Sequence, residues 1–151
     1  MATPPVIPPV IDDNTTEQNK IVSPYFKEGL FAGVRVTTDD EDFVIAPEDY
    51  RNGELMTWNY AISALNRDNL ITWNRHQLDI VMQYHNIINQ VLINYDKAKL
   101  DGFYWTCNCS PLDLDYAYYG YFANGSSYIT ETDRWSSCAV RSIKDLKIHK
   151  Y

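Results

Sequence analysis

The chain has 151 residues, 45% of them apolar and 22% charged, and a net charge of −7, a balance that fits one domain with a single sizeable core. An acidic chain without a Lys/Arg cluster argues against nucleic acid and anionic membrane as partners. No apolar run approaches the roughly 20 residues of a membrane span.

The N-terminus from Met1 lacks the basic start and apolar stretch of a secretory signal, so the expectation is synthesis and folding in a cytoplasm. Residues 1–24 differ from the rest. "PPVIPPVI" repeats a tetrapeptide over Pro4, Pro5, Val6, Ile7 and Pro8, Pro9, Val10, Ile11, and a polar "DDNTTEQNK" follows. Paired prolines lack amide donors and favour extended polyproline II, so this segment cannot make a helix or a central strand. It reads as an anchoring arm, residues 1–24, pinned against another subunit, ahead of a folded domain at 25–151.

"GLFAGVRV" (29–36) and "DFVIA" (42–46) read as strands joined by the acidic "TTDDED". Carboxylates in such a cluster suit calcium, but a solvated hairpin turn explains them without a metal. In "MTWNYAISALNR", Trp58, Ala61, Ile62 and Leu65 form one stripe of a helix with Thr57 as N-cap. A second helix follows "NLITW": Asn74 and Gln77 make a capping-box pair, and Leu78, Val81, Met82, His85 and Val91 or Leu92 mark its buried side. His85 on that stripe reads as a core histidine.

From Gly102 onward the pattern becomes β: "FYWTCNC", "YAYYGYFANGSSYIT" and "CAVRSI", with Asn124-Gly125 as a hairpin-turn signal. Strands, two helices, then strands give an α+β class. Residues 103–128 hold six of the twelve tyrosines and two of the three cysteines. Tyrosine offers rigid contact area and a hydroxyl, and Gly, Ser and Asn offer adaptable polar contacts, the composition of a binding surface. Packing of the same rings on helices, an arm or neighbouring subunits is the competing reading.

Cys107, Cys109 and Cys138 are expected to be buried thiols: Cys-x-Cys is not zinc-knuckle spacing, although Cys138 falls on a segment that could neighbour either partner for a later bridge. Glu48/Asp49 and Asp113/Asp115 are carboxylate pairs that turns and solvated edges explain. With no nucleophile–base–orienter set, the chain is expected to be no enzyme, with no metal and no cofactor.

The succession "DFVIAPEDY…MTWNYAI", "QLDIVMQYHNIIN", "FYWTCN…YAYYGYFANGSS…CAVRSI" resembles the Fibrobacter succinogenes major paralogous domain, over residues 29–146. That family has a C-type-lectin-like fold and occurs in gut Bacteroides and in virion proteins of their crAss-like tailed phages. Trp58 matches the Trp opening the first helix, Leu78 and Met82 lie in the second, and Tyr104-Trp105 takes the Tyr-Trp place. Tyr118 to Phe122 takes the aromatic strand and Val140-Arg141 the closing motif. The family's Leu-Pro-Thr before the second helix is "TWN" (72–74) here, and its Ser-Ser is Thr106-Cys107. The resemblance implies a structural core of Trp58, Ile62, Leu78, Met82, Tyr104, Trp105, Tyr118, Phe122 and Val140. It turns Tyr118, Gly120 and Phe122 inward and Tyr119 and Tyr121 outward, so that Tyr116, Tyr119, Tyr121, Asn124, Ser126, Ser127 and Tyr128 form a ligand- or partner-binding face.

The functional expectation is a structural or adhesive virion protein of a tailed bacteriophage: a fibre, head-fibre or decoration module of a homo-oligomer, trimer first. Its arm would hold other virion proteins and its tyrosine face would meet a host surface glycan or protein in host attachment. The alternatives are a lectin-like glycan- or protein-binding module of a bacterium and a hypervariable display protein of a diversity-generating system. The Glu-Pro-Asn or Gln-Pro-Asp and Trp-Asn-Asp triplets of calcium-dependent sugar sites are not found in the sequence.

Overall fold

The computed structural model describes residues 21–25, 32–123 and 126–147. The arm residues Pro4 to Ile11 and the Asn124-Gly125 turn lie outside the described residues.

The class is α+β, with two antiparallel sheets and three α-helices among the described residues. The N-terminal strands are β1 (Val22–Tyr25), β2 (Gly33–Thr37) and β3 (Asp42–Ile45). Then come α1 (Trp58–Arg67), the two-residue β4 (Ile71–Thr72), α2 (Arg75–Gln83) and α3 (His85–Asn94). The aromatic half supplies β5 (Gly102–Cys109), β6 (Tyr116–Phe122) and β7 (Tyr128–Asp133), and β8 (Ser142–Asp145) closes. The larger sheet has the order β1-β2-β3-β8-β4 and the smaller β5-β6-β7. Strand β1 takes in Val22, Ser23 and Pro24, the last residues read as arm.

Local chemistry explains these elements. The turn between β2 and β3 is held by the Thr38 amide donating to Glu41 O at 2.8 Å and by the Thr38 hydroxyl donating to Asp40, the solvated turn read from "TTDDED". Gly33 has φ +149°, and a Cβ there would lie 1.7 Å from Ile45 O, so only glycine lets β2 and β3 approach at that point. The capping box at α2 forms as read: Asn74 Oδ1 accepts from the Gln77 amide at 2.7 Å, and the Asn74 amide donates to Gln77 Oε1 at 2.9 Å. Thr57 occupies the N-cap of α1, yet its side chain makes no capping bond.

The second helix of the sequence reading is two. It breaks at Tyr84 (φ −110°, ψ 17°), which ends α2 and starts α3. Leu78, Ile80 and Val81 are the buried apolar residues of α2, which packs on the small sheet, and Ile88, Val91 and Leu92 those of α3, which packs on β1 and β2. One straight helix cannot keep both stripes against differently oriented sheets.

Burial divides into two clusters that share β5. Tyr104 lies in the larger, with Trp73, Leu78, Leu92 and Phe122; Trp105 lies in the smaller, with Ala61, Leu65, Ala117 and Val140. Adjacent residues of a strand point to opposite faces, so one Tyr-Trp dipeptide serves both cores. Leu78, Tyr104, Trp105, Phe122 and Val140 are fully buried, whereas Trp58, Ile62 and Met82 are partly buried on the cluster flanks. Tyr118 departs from the core assignment. It faces the helix side but is only half-buried, beneath the Arg75 guanidinium at 4.6 Å.

Three indoles tie the layers together. Pairing of β5 with β6 shifts between Trp105 and Cys109, and a bulge of this kind leaves carbonyls without ladder partners. Trp73 Nε1 donates to Trp105 O at 3.1 Å and Trp58 Nε1 to Thr106 O at 2.8 Å, while Trp105 Nε1 donates to Met56 O at 2.6 Å. On its free side β5 meets the chain before β8, through Trp105 N to Ala139 O at 3.0 Å and Ala139 N to Phe103 O at 2.9 Å.

Candidate binding face

Strand β6 alternates strictly against β7, from Tyr116↔Asp133 to Tyr121↔Tyr128. Gly120 turns toward α2, where a Cβ would sit 2.7 Å from Met82 Cε and 2.8 Å from Leu78 Cδ2. Tyr119 and Tyr121 therefore point to the other side, as the resemblance implied. The register places Phe103, Tyr121 and Tyr128 directly opposite one another across all three strands, with Trp105, Tyr119 and Thr130 as the adjoining row.

The rings of the first row form a continuous stack. Phe103 and Tyr121 centroids are 4.5 Å apart, and Tyr121 and Tyr128 are 5.4 Å apart. Tyr119 fills the space behind, 5.8 Å from Phe103, 6.5 Å from Tyr128 and 6.4 Å from the buried Trp105. Separations of this order, with tilted or edge-on planes, are favourable aromatic contacts. Phe103 is 46% and Tyr128 44% exposed, with Tyr119 and Tyr121 intermediate. The result is an aromatic platform, rooted in the core through Trp105 and open to solvent. Burial, then hydrogen bonding with Tyr128, raises the pKa of the Tyr119 phenol above its ordinary value.

Three of the sequence-derived residues, Tyr119, Tyr121 and Tyr128, thus meet on one face. Phe103 joins them and was missed; its signal was the two-residue offset from Trp105 on a strand, which puts both on one side. Tyr116 does not join them. By the alternation of β6 it lies on the face of Tyr118 and Phe122, at the far end of the strand, half-exposed. Ser127 is turned toward the helices, its Oγ 3.4 Å from His85 Nδ1 and donating to Ala123 O at 3.3 Å, and Ser126 is exposed in the connection. Asn124 lies outside the described residues.

His85 itself is half-buried at the start of α3, edge-on to Phe122 with centroids 5.4 Å apart, and burial lowers its pKa. Beyond Tyr128 an open groove of about 620 Å³ runs between α2 and β7, lined by Arg75, Asp79, Met82, Ser127 and Ile129. At the opposite end of the small sheet, loops expose Leu112 (92%), Leu114 and Trp135 (68%).

The groups with chemical potential elsewhere have structural partners. Asp49, read as a turn carboxylate, is in fact the anchor of a buried network. Arg141 is fully buried and donates through Nε to Asp49 Oδ1 at 2.9 Å, through Nη1 to Ala46 O at 3.0 Å, and through Nη2 to Ala98 O and Lys99 O at 2.9 and 3.2 Å. The Tyr104 hydroxyl also donates to Asp49, at 2.8 Å, and burial pushes its pKa up to about 12. Asp113 accepts from the Asp115 amide at 2.9 Å, a turn as read. The three cysteines are unbridged, and only Cys138 is buried as expected: Cys107 is exposed and Cys109 intermediate, on the end of β5 where its pairing with β6 shifts. Burial pushes the Cys138 thiol up to about 12, far from a thiolate. Asp40, Glu41 and His76 come close enough to hold a metal ion, but hydrogen bonds account for their approach: His76 Nε2 to Asp40 at 2.9 Å and Gln77 Nε2 donating to Glu41 at 3.2 Å.

Comparison with protein-family models, with curated proteins and with solved structures finds no match to this chain.

Proposed function

We propose that this chain is a non-enzymatic structural or adhesive virion protein of a tailed bacteriophage, built on a C-type-lectin-like domain and working by surface contact. One observation carries the contact reading: four aromatic rings, Phe103, Tyr119, Tyr121 and Tyr128, lie together on an open sheet face with their exposure maintained by a buried Trp105 beneath. Such rings desolvate readily, lose little side-chain entropy on binding and carry hydroxyls for polar contacts, the properties of interface hot spots. The lectin-like part of the reading is supported by the order of elements. Terminal strands share one sheet through β3 and β8, the helices fall between, and a smaller aromatic sheet is inserted before the chain returns. The Pro-rich segment, by its composition, supplies the anchor to other virion proteins.

Immunogold electron microscopy on virions of the phage carrying the gene tests this. Gold at a fixed place on the particles is expected, with adsorption to host cells reduced at least tenfold by Tyr119→Ala combined with Tyr121→Ala. Unlabelled particles, with the protein confined to the soluble lysate, overturn it.

The second reading is a glycan-binding module, favoured by the half-exposed rings of Phe103 and Tyr128 on an open sheet face, which suit stacking against a sugar ring. On a glycan array the same double variant separates it from pure scaffolding.

A further inference from the structure

The polyproline II form that the Pro-rich composition favours would complement the aromatic face in shape and in hydrogen bonding. Polyproline II has about three residues per turn and rises about 3.1 Å per residue, with its carbonyls free and no internal hydrogen bonds. In "PPVIPPVI" the residues Pro5, Pro8 and Ile11 share one side of such a helix, about 9 Å apart. The Phe103–Tyr121–Tyr128 row crosses three strands, a width of about 10 Å from two strand spacings. One polyproline turn therefore spans the row. Prolines offer carbonyl acceptors and no amide donors; the face answers with apolar ring surface and with the hydroxyls of Tyr119, Tyr121 and Tyr128. Aromatic-lined surfaces bind polyproline helices on this principle, because the ligand surrenders little entropy.

We infer that the aromatic face of one copy receives the Pro4–Ile11 segment of a neighbouring copy, in a head-to-tail contact. The inference rests on the reading of that face as a contact surface and names what it contacts. One observation favours the neighbour over the same copy. Ile21, where the described chain begins, packs on the large core together with α3, whereas the aromatic rings point away from that core. Residues 12–20 separate it from the segment, and a tether of that length spans at most roughly 30 Å. Because donor segment and acceptor face are different surfaces, the contact is heterologous and generates rings or open chains.

Complementation in trans tests it, using full-length chains in sedimentation velocity between 1 and 100 µM (about the range over which such contacts titrate). One variant carries Pro5→Asp and Pro8→Asp, which spoils the donor segment and leaves the face. The other carries Tyr121→Ala and Tyr128→Ala, which spoils the face and leaves the segment; Tyr128→Ala alone, at the exposed sheet edge, serves should the double variant lose its circular-dichroism signature of folding. The wild-type chain is expected to form trimers or longer species. Each variant alone is expected to lose self-association at least tenfold, and an equimolar mixture to recover it but stop at pairs, since only one productive contact remains. A wild-type monomer throughout, variants that associate as wild type, or a mixture that stays monomeric overturns the inference. Overturning it while virions carry gold leaves the proposed function standing; complementation with unlabelled virions does the reverse.

Discussion

Arg141 shows how a single residue can look functional and be architectural. A guanidinium with no solvent exposure costs several kcal/mol to desolvate unless its donors are filled. Here Asp49 supplies the countercharge, and the carbonyls of Ala46, Ala98 and Lys99 take the remaining donors. Arg141 thereby ties together three segments, before α1, after α3 and before β8. Arg141→Met is expected to cost about 3–5 kcal/mol, because it leaves three carbonyls without donors and the partly buried Asp49 carboxylate without its countercharge, held only by the Tyr104 hydroxyl. Arg141→Lys is expected to recover only part of this, since an ammonium cannot reproduce the planar fork. The urea midpoint of each variant measures both. The sequence marked Arg141 only through the resemblance, and Asp49 only as half of a carboxylate pair assigned to a turn; the two are 92 positions apart, and no local pattern joins them.

At the scale of elements, helix signals were read better than helix extents. The Asn74–Gln77 box is local chemistry, spelled out by residues three apart, and it forms as written. Asn74→Ala is expected to cost about 0.5–2 kcal/mol, and Asn74→Asp or Asn74→Ser about none, by thermal unfolding. Thr57 met the same rule and makes no capping bond, because Trp58 at the first helical position is held instead by the bulge carbonyl of Thr106 and by Arg134 over its ring at 4.6 Å. The break at Tyr84 carries no Gly or Pro to announce it. It arises from two sheets demanding burial in two directions. On the strands, alternation correctly separated Tyr119 and Tyr121 from Gly120 and Phe122, while Tyr116 required the β6–β7 register to be placed.

For the molecule as a whole, the consequential fact is that β5 belongs to both cores. Tyr104 and Trp105, adjacent in sequence, are each fully buried in a different cluster. Loss of either cluster removes the support of the strand that the other is built on, so the domain is expected to unfold in one cooperative step. Fluorescence of Trp73→Phe, which keeps the indoles of the smaller cluster, and of Trp58→Phe with Trp105→Phe, which keeps Trp73 of the larger, is expected to give the same urea midpoint as far-UV circular dichroism once each curve is referred to its own variant. Midpoints that separate within one variant would contradict it. The same strand carries the aromatic face, with Phe103 on it and Tyr119 packed edge-on against Trp105.

The sequence by itself determined the α+β class, the capping box, and the alternation that puts Tyr119 and Tyr121 on one face of their strand. All of these follow from periods of two to four residues, which the chain states locally. Only the tertiary structure decided that Phe103 completes the aromatic row, that Tyr116 and Ser127 stand apart from it, that the second helix is two, and that Asp49 serves Arg141. Those depend on strand register and on contacts between residues tens of positions apart, where the free energy belongs to the packed pair and neither residue alone carries the signal.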